Sequence, residues 1–189
     1  MGSNALLFWK AAIAAFPRSS RALAMNAARI LAPFVDNDHC KSPFREITLG
    51  NNVVKIPYRI HFDGLKEAGL QSQDDFWVAA QCLCTRSTDG YMRQTPLRHI
   101  LGIGEDWIIP FVVLLSGEYV VEITEDIAGS LTKLDRNRYI NFVRENRPVM
   151  RLLRSKATSY WDRYYRHSYP DRCEYPGLMF LHELELWAS

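Results

Sequence analysis

Apolar positions recur along most of this chain with a helical period and in one stretch with a strand period. Leu6, Phe8, Trp9, Ala12, Ile13 and Phe16 trace a first helix that Asn4 can cap and Pro17 stops or redirects. Leu23, Ala27, Ile30, Leu31 and Phe34 keep the same spacing after Ser19 or Ser20, so residues 1–35 read as a helical hairpin. Between 44 and 62 the period changes. Val54, Ile56, Tyr58, Ile60 and Phe62 alternate with Lys55, Pro57, Arg59 and His61, while Ile47 and Leu49 precede the turn-forming run Gly50, Asn51, Asn52. This predicts a β-hairpin in which Val54 to Phe62 lies antiparallel to the segment around Ile47 and Leu49. Pro57 has no N–H and places its strand at an edge or a bulge. A lone two-stranded hairpin is marginal in water, so its apolar face should pack on helices.

From 73 to 187 the pattern is helical. Gln73, Asp74 and Asp75 open a helix through Phe76, Trp77, Ala80 and Leu83, with acids suited to the positive end of the dipole. A short helix around Leu97, Ile100 and Leu101 ends near Gly102. The run from Asp106 to Ile123 is apolar almost all round and predicts one long buried helix. Asp135 opens a helix carrying Tyr139, Ile140 and Val143, and Asn146 and Arg147 mark a break with Pro148 at the first position of the next, which runs to about Tyr165. Pro170 and Pro176 punctuate a loop before a closing helix, Leu178 to Trp187. The prediction is a mainly α single domain over 1–189, a helical bundle or stacked helical hairpins with one β-hairpin packed on it.

Composition adds little. A hydrophobic content of 48% supports a sizeable core, and 23 Lys plus Arg against 21 Asp plus Glu is too balanced to imply a polyanionic partner from the total. The apolar run Ala5 to Phe16 is interrupted by Lys10 and is too short to span a bilayer, so no membrane association and a cytoplasmic location are expected. Homo-oligomerisation stays open.

Glu118 and Glu122 stand four residues apart within the apolar run, so on one helix they share a face and, if buried, need basic partners. Arg93 and Arg98, one helix upstream, are the candidates for a buried ionic network. A di-metal reading would want Glu-x-x-His motifs that the sequence lacks, and His39, Cys40, Cys82, Cys84, His167 and Cys173 are not spaced as zinc ligands. No metal or cofactor is expected. Gly102 and Gly104 lack the rest of a dinucleotide fingerprint, and Ser116-Gly117 lacks a nucleophile elbow. An enzyme with an unrecognised site would require a pocket built from Glu118, Glu122, Arg93 and His99 and stays open as the last alternative; a non-enzymatic chain is expected before it.

The remaining signal lies in the helices from 135 to 166, where Arg144, Arg147, Arg151, Arg154, Arg163 and Arg166 accompany Trp161 and several tyrosines. Guanidinium groups pair with carboxylates and phosphates and stack on bases. Val149, Leu153, Ala157, Tyr160 and Tyr164 trace one helical face, which assigns several aromatics to the core. A protein-interaction or scaffolding module is therefore expected first, with Trp161 or Trp187 as anchors, and a nucleic-acid-binding protein second. The stretches Asp89 to Gln94, Trp107 to Phe111 and Gly117 to Val120 resemble segments of bacterial proteins of unassigned function and imply no activity. A short helix followed by an apolar one is similar to stacked helical pairs of HEAT type, over about a third of the chain.

Overall fold

The computed structural model describes residues 3–36, 42–65 and 74–189. The fold is mainly α with one antiparallel β-hairpin, as the periodicity predicts. His39, Cys40 and Gln73 lie outside the described residues. The backbone divides into two compact units, Met1–Ile100 and Leu101–Ser189, and the division falls inside the stretch read as one helical core.

The first unit contains α1 (Ser3–Ala14), α2 (Arg21–Leu31), β1 (Phe44–Leu49), β2 (Asn52–Pro57), α3 (Asp75–Cys84) and α4 (Tyr91–Ile100). Helix α2 contacts both α1 and α3. It does so through Ala24, Ala27, Ala28 and Leu31, all fully buried, while Leu23 and Ile30 are only half-buried. Ala79 and Ala80 of α3 are equally buried. Small side chains on both helices let the backbones approach closely, which moves the packing face of α2 off the larger residues that the spacing favoured.

Ile47 pairs with Val54 and Leu49 with Asn52 across the hairpin, and Gly50 takes the positive φ of +54° that its turn requires. The strand β2 ends at Pro57, five residues short of the expected Phe62. Tyr58 N–H still donates to the Pro43 carbonyl at 2.8 Å, but Pro43 has no N–H to return the bond and continue the ladder. Beyond it the chain is held elsewhere: buried Arg86 donates from Nε to the Pro57 carbonyl (3.2 Å) and from Nη2 to the Tyr58 carbonyl (2.9 Å). Ile60 then forms a parallel bridge with Ser87, and Phe62 an antiparallel bridge with Val35. The hairpin packs on α1, as an isolated pair of strands must pack on something.

The second unit contains α5 (Ile109–Leu115), α6 (Val121–Gly129), α7 (Arg136–Glu145), α8 (Arg147–Tyr160) and α9 (Pro176–Trp187). The apolar run expected as one helix is two, α5 and α6, separated by residues 116–120. Ser116 Oγ donates back to the Val113 carbonyl at 2.7 Å, and a Cβ at Gly117 would stand 2.8 Å from Leu153 Cδ2. Gly117, having no Cβ, thus lets the chain pass close to Leu153 at the break. Helix α9 packs against α6, α7 and α8, burying Leu178, Phe180, Leu181 and Leu184.

Asp135 caps α7, its carboxylate accepting from the N–H groups of Asn137 (3.1 Å) and Arg138 (3.3 Å). Asn146 separates α7 from α8 as predicted, and its side chain donates to the Phe142 carbonyl at 2.9 Å. Pro148 occupies the first turn of α8, where its missing N–H costs nothing. Helix α8 continues into a wide π-helical turn, Trp161–Tyr165.

Candidate functional site

The two acids of the apolar run part company. Glu118 lies in the connection between α5 and α6 with only 4% exposure, whereas Glu122 sits exposed in the first turn of α6. They share no helix, because Gly117 and the residues after it break the run, and the expectation of two buried acids on one face is corrected accordingly. Arg93 is buried, and its Nη1 donates to the carbonyls of Ser87 (3.0 Å) and Thr88 (3.1 Å). Arg98 is exposed on α4. Together Arg86 and Arg93 form a buried network in which guanidinium groups hold backbone carbonyls of the segments 57–58 and 87–88. His99 shares a contact of 3.3 Å with the buried amide of Gln81.

Burial pushes the thiols of Cys82 and Cys84 well up from their ordinary value, with Cys84 adding to the shift at Cys82. Neither offers a thiolate near neutral pH. Among the described residues no group of three or more His, Cys, Asp or Glu side chains is placed to hold a metal ion. Among them, too, no helix is long and apolar enough to cross a membrane.

The arginines expected to make a contact surface divide into paired and unpaired sets. Arg154 holds Glu185 of α9 in a fork, Nε to Oε1 at 3.4 Å and Nη2 to Oε2. Arg166 pairs with Asp162 and lies 5.3 Å from the centre of the Trp161 ring. Arg163 lies 5.9 Å from the Tyr164 ring. Arg144, Arg147 and Arg151 are exposed and, among the described residues, have no carboxylate partner; Arg144 Nε donates to the Ala188 carbonyl at 3.4 Å. These three line an open groove of about 320 Å³ with Val143, Met150 and Glu185. A second cavity, about 250 Å³, is lined by Arg154, Thr158, Arg172, Cys173, Leu178 and His182.

Most of the nearby aromatics are spent inside the fold. Tyr165 stacks on Tyr175 with ring centres 5.5 Å apart, Tyr169 meets Tyr175 edge-on at 5.7 Å, and Tyr160 stacks on Tyr164 at 6.4 Å. The Tyr165 hydroxyl donates to the Tyr119 carbonyl (2.6 Å), the Tyr169 hydroxyl to Glu125 (2.8 Å), and the Trp161 indole N–H to the Tyr169 carbonyl (2.8 Å). Burial, followed by the bond to Glu125 and its charge, pushes the Tyr169 phenol up to about 12. Tyr164 and Tyr119 alone of this cluster are about half exposed.

The sequence singled out the arginines of α7 and α8 but missed Glu185 and His182, which the fold brings to the same surface. Their signal was the spacing Leu178, His182, Glu185, Ser189, the counterpart of Arg147, Arg151, Arg154, Thr158. No protein family, characterised protein or solved structure matches the chain, so the HEAT-type likeness finds no counterpart there.

Proposed function

We propose that the chain is a non-enzymatic protein-interaction module whose contact surface is the arginine-bearing side of α7 and α8, and that its partner is an acidic protein. The observation that carries this reading is the trio Arg144, Arg147 and Arg151, exposed, without carboxylate partners among the described residues, and set around an apolar floor of Val143 and Met150. Like charges crowded at one groove repel each other until an anionic partner neutralises them.

Two further observations favour protein over nucleic acid. Trp161, Tyr165, Tyr169 and Tyr175 are engaged with one another or with backbone carbonyls, which leaves few ring faces on which bases could stack. The charge is also local: residues 101–189 carry 11 Lys and Arg against 13 Asp and Glu. A net negative unit repels a long polyanion outside a short contact and suits a compact acidic patch.

A photo-cross-linking residue at exposed Ser155 of α8 tests the reading in cells. A discrete protein adduct is expected, lost when Arg147→Glu and Arg151→Glu are introduced together. An adduct removed by nuclease, or a protein adduct indifferent to those reversals, overturns it.

A further inference from the structure

The two cavities belong to one seam. On α8 the residues Arg147, Arg151, Arg154 and Thr158 follow one another at four, three and four positions, which is a single stripe along a helix. On α9 the lining residues Leu178, His182 and Glu185, continued by Ser189, keep the same spacing. The helices pack together, with the Arg154–Glu185 fork crossing between the stripes. The larger cavity lies on the Arg147 and Arg151 side of that fork and the smaller on the Arg172 and His182 side.

We infer that the α8–α9 seam is a continuous docking groove for an extended acidic segment of a protein partner. This rests on the proposed function and names the partner's chemistry and the site's full extent. Charge complementarity selects this occupant, and the seam holds an internal example: Glu185 is a carboxylate held bidentately in its middle, and arginines without carboxylate partners stand on either side of it. Eleven residues of helix span about 16 Å, the length of about five residues of extended chain. Arg147 and Arg151 are one helical turn apart, about 6 Å along the axis, and carboxylates on alternate residues of an extended segment are separated by about 7 Å. A segment with acids at every second position therefore presents one carboxylate to each turn of α8, with the nearly buried Met150 and Leu178 at the floor of the two cavities.

The test is fluorescence anisotropy of the full chain with a labelled peptide of alternating glutamate and alanine, five residues long, against its glutamine counterpart at about 50 mM salt. The glutamate peptide is expected to bind saturably and the glutamine peptide at least tenfold more weakly. Arg151→Glu and Arg172→Glu, in the two cavities, are each expected to weaken binding at least tenfold, Arg151→Gln less so, and Arg18→Glu in the first unit not at all. Circular dichroism of each variant confirms its fold. Loss with Arg151→Glu but not with Arg172→Glu overturns the continuous seam and leaves the single groove of the proposed function standing. No peptide binding alongside an arginine-dependent Ser155 adduct does the same. Displacement of the peptide by an oligothymidylate more readily than by unlabelled peptide, steeply weakened by salt, overturns both.

Discussion

Gly177→Ala should destabilise the second unit, and its cost follows from where the new methyl group would stand. A Cβ at Gly177 would lie 2.7 Å from the Ser116 carbonyl oxygen, 3.2 Å from Tyr175 Cε1 and 3.4 Å from Thr124 Cγ2. The first contact decides the sign, because the oxygen is backbone and cannot rotate away. Ser116 is buried, and the next residue, Gly117, is already pressed against Leu153. Relief therefore requires α9 to move away from the α5–α6 connection by several tenths of an ångström, opening contacts at Phe180 and Leu181. Overpacking of this kind costs about 1–3 kcal/mol. The better helix propensity of alanine returns at most about 1 kcal/mol. A net loss of about 1–2 kcal/mol is expected. Gly129→Ala, at the end of α6 with nothing within 4 Å of the new Cβ, supplies the contrast. It should gain about 0.5 kcal/mol by restricting the unfolded chain. Urea unfolding followed by both circular dichroism and tryptophan fluorescence separates the two. Equal midpoints for Gly177→Ala and Gly129→Ala would refute the close-approach argument.

Other consequences can be checked with the same material. Asp135→Ala removes the cap of α7 and should cost about 1 kcal/mol in urea unfolding, with Asp135→Asn recovering most of it. Tyr169 binds its proton more tightly folded than unfolded, so the folded state loses stability as pH rises from about 10, its ordinary value, towards about 12; Tyr169→Phe should flatten that alkaline decline in thermal melts, and an unchanged decline would remove Tyr169 from the explanation. Site-resolved alkylation should label exposed Cys173 in the native protein and reach buried Cys82 and Cys84 only on unfolding. Glu118→Ala, which removes a carboxylate only 4% exposed and engaged within the fold, should cost on the order of 3 kcal/mol in urea unfolding, and Glu118→Gln less.

The sequence was legible where one period dominates locally. Alternation through Val54 and Ile56, with Gly50 in the turn, specified the hairpin and the two segments that pair in it. The Asp135 cap and the Asn146 break were equally readable, since each depends on side chains acting within a few residues. Local periodicity is silent where a distant group decides the outcome. The alternation persists to Phe62, but the pairing ends opposite Pro43, and Arg86, 29 positions beyond Pro57, holds the Pro57 and Tyr58 carbonyls instead. The apolar run from Asp106 looks unbroken in the sequence, and only the fold shows the close approach of Leu153 to Gly117 at the break. At the candidate site the arginines of α7 and α8 were visible as a charge run, whereas which of them are free could not be read. That depends on Glu185 and Asp162 taking up Arg154 and Arg166 in the folded chain.

The wide turn at Trp161–Tyr165 has a consequence for what changes the chain can accept. A π-helical turn holds one residue more than an α-turn, so everything after it is rotated by about 100° relative to an uninterrupted helix. That rotation ends the stripe that begins at Arg147 and brings Tyr165 over Tyr175 and the Trp161 indole to the Tyr169 carbonyl. The segment therefore encodes a count as well as a composition. Exchanging one of its exposed side chains leaves the phase intact, but deleting any one of the five restores the α-helical register and turns both aromatic contacts away from their partners. Among natural variants of this chain, substitutions within the turn should fall at the exposed positions Asp162, Arg163 and Tyr164, while the number of residues between Arg154 and Tyr175 stays fixed.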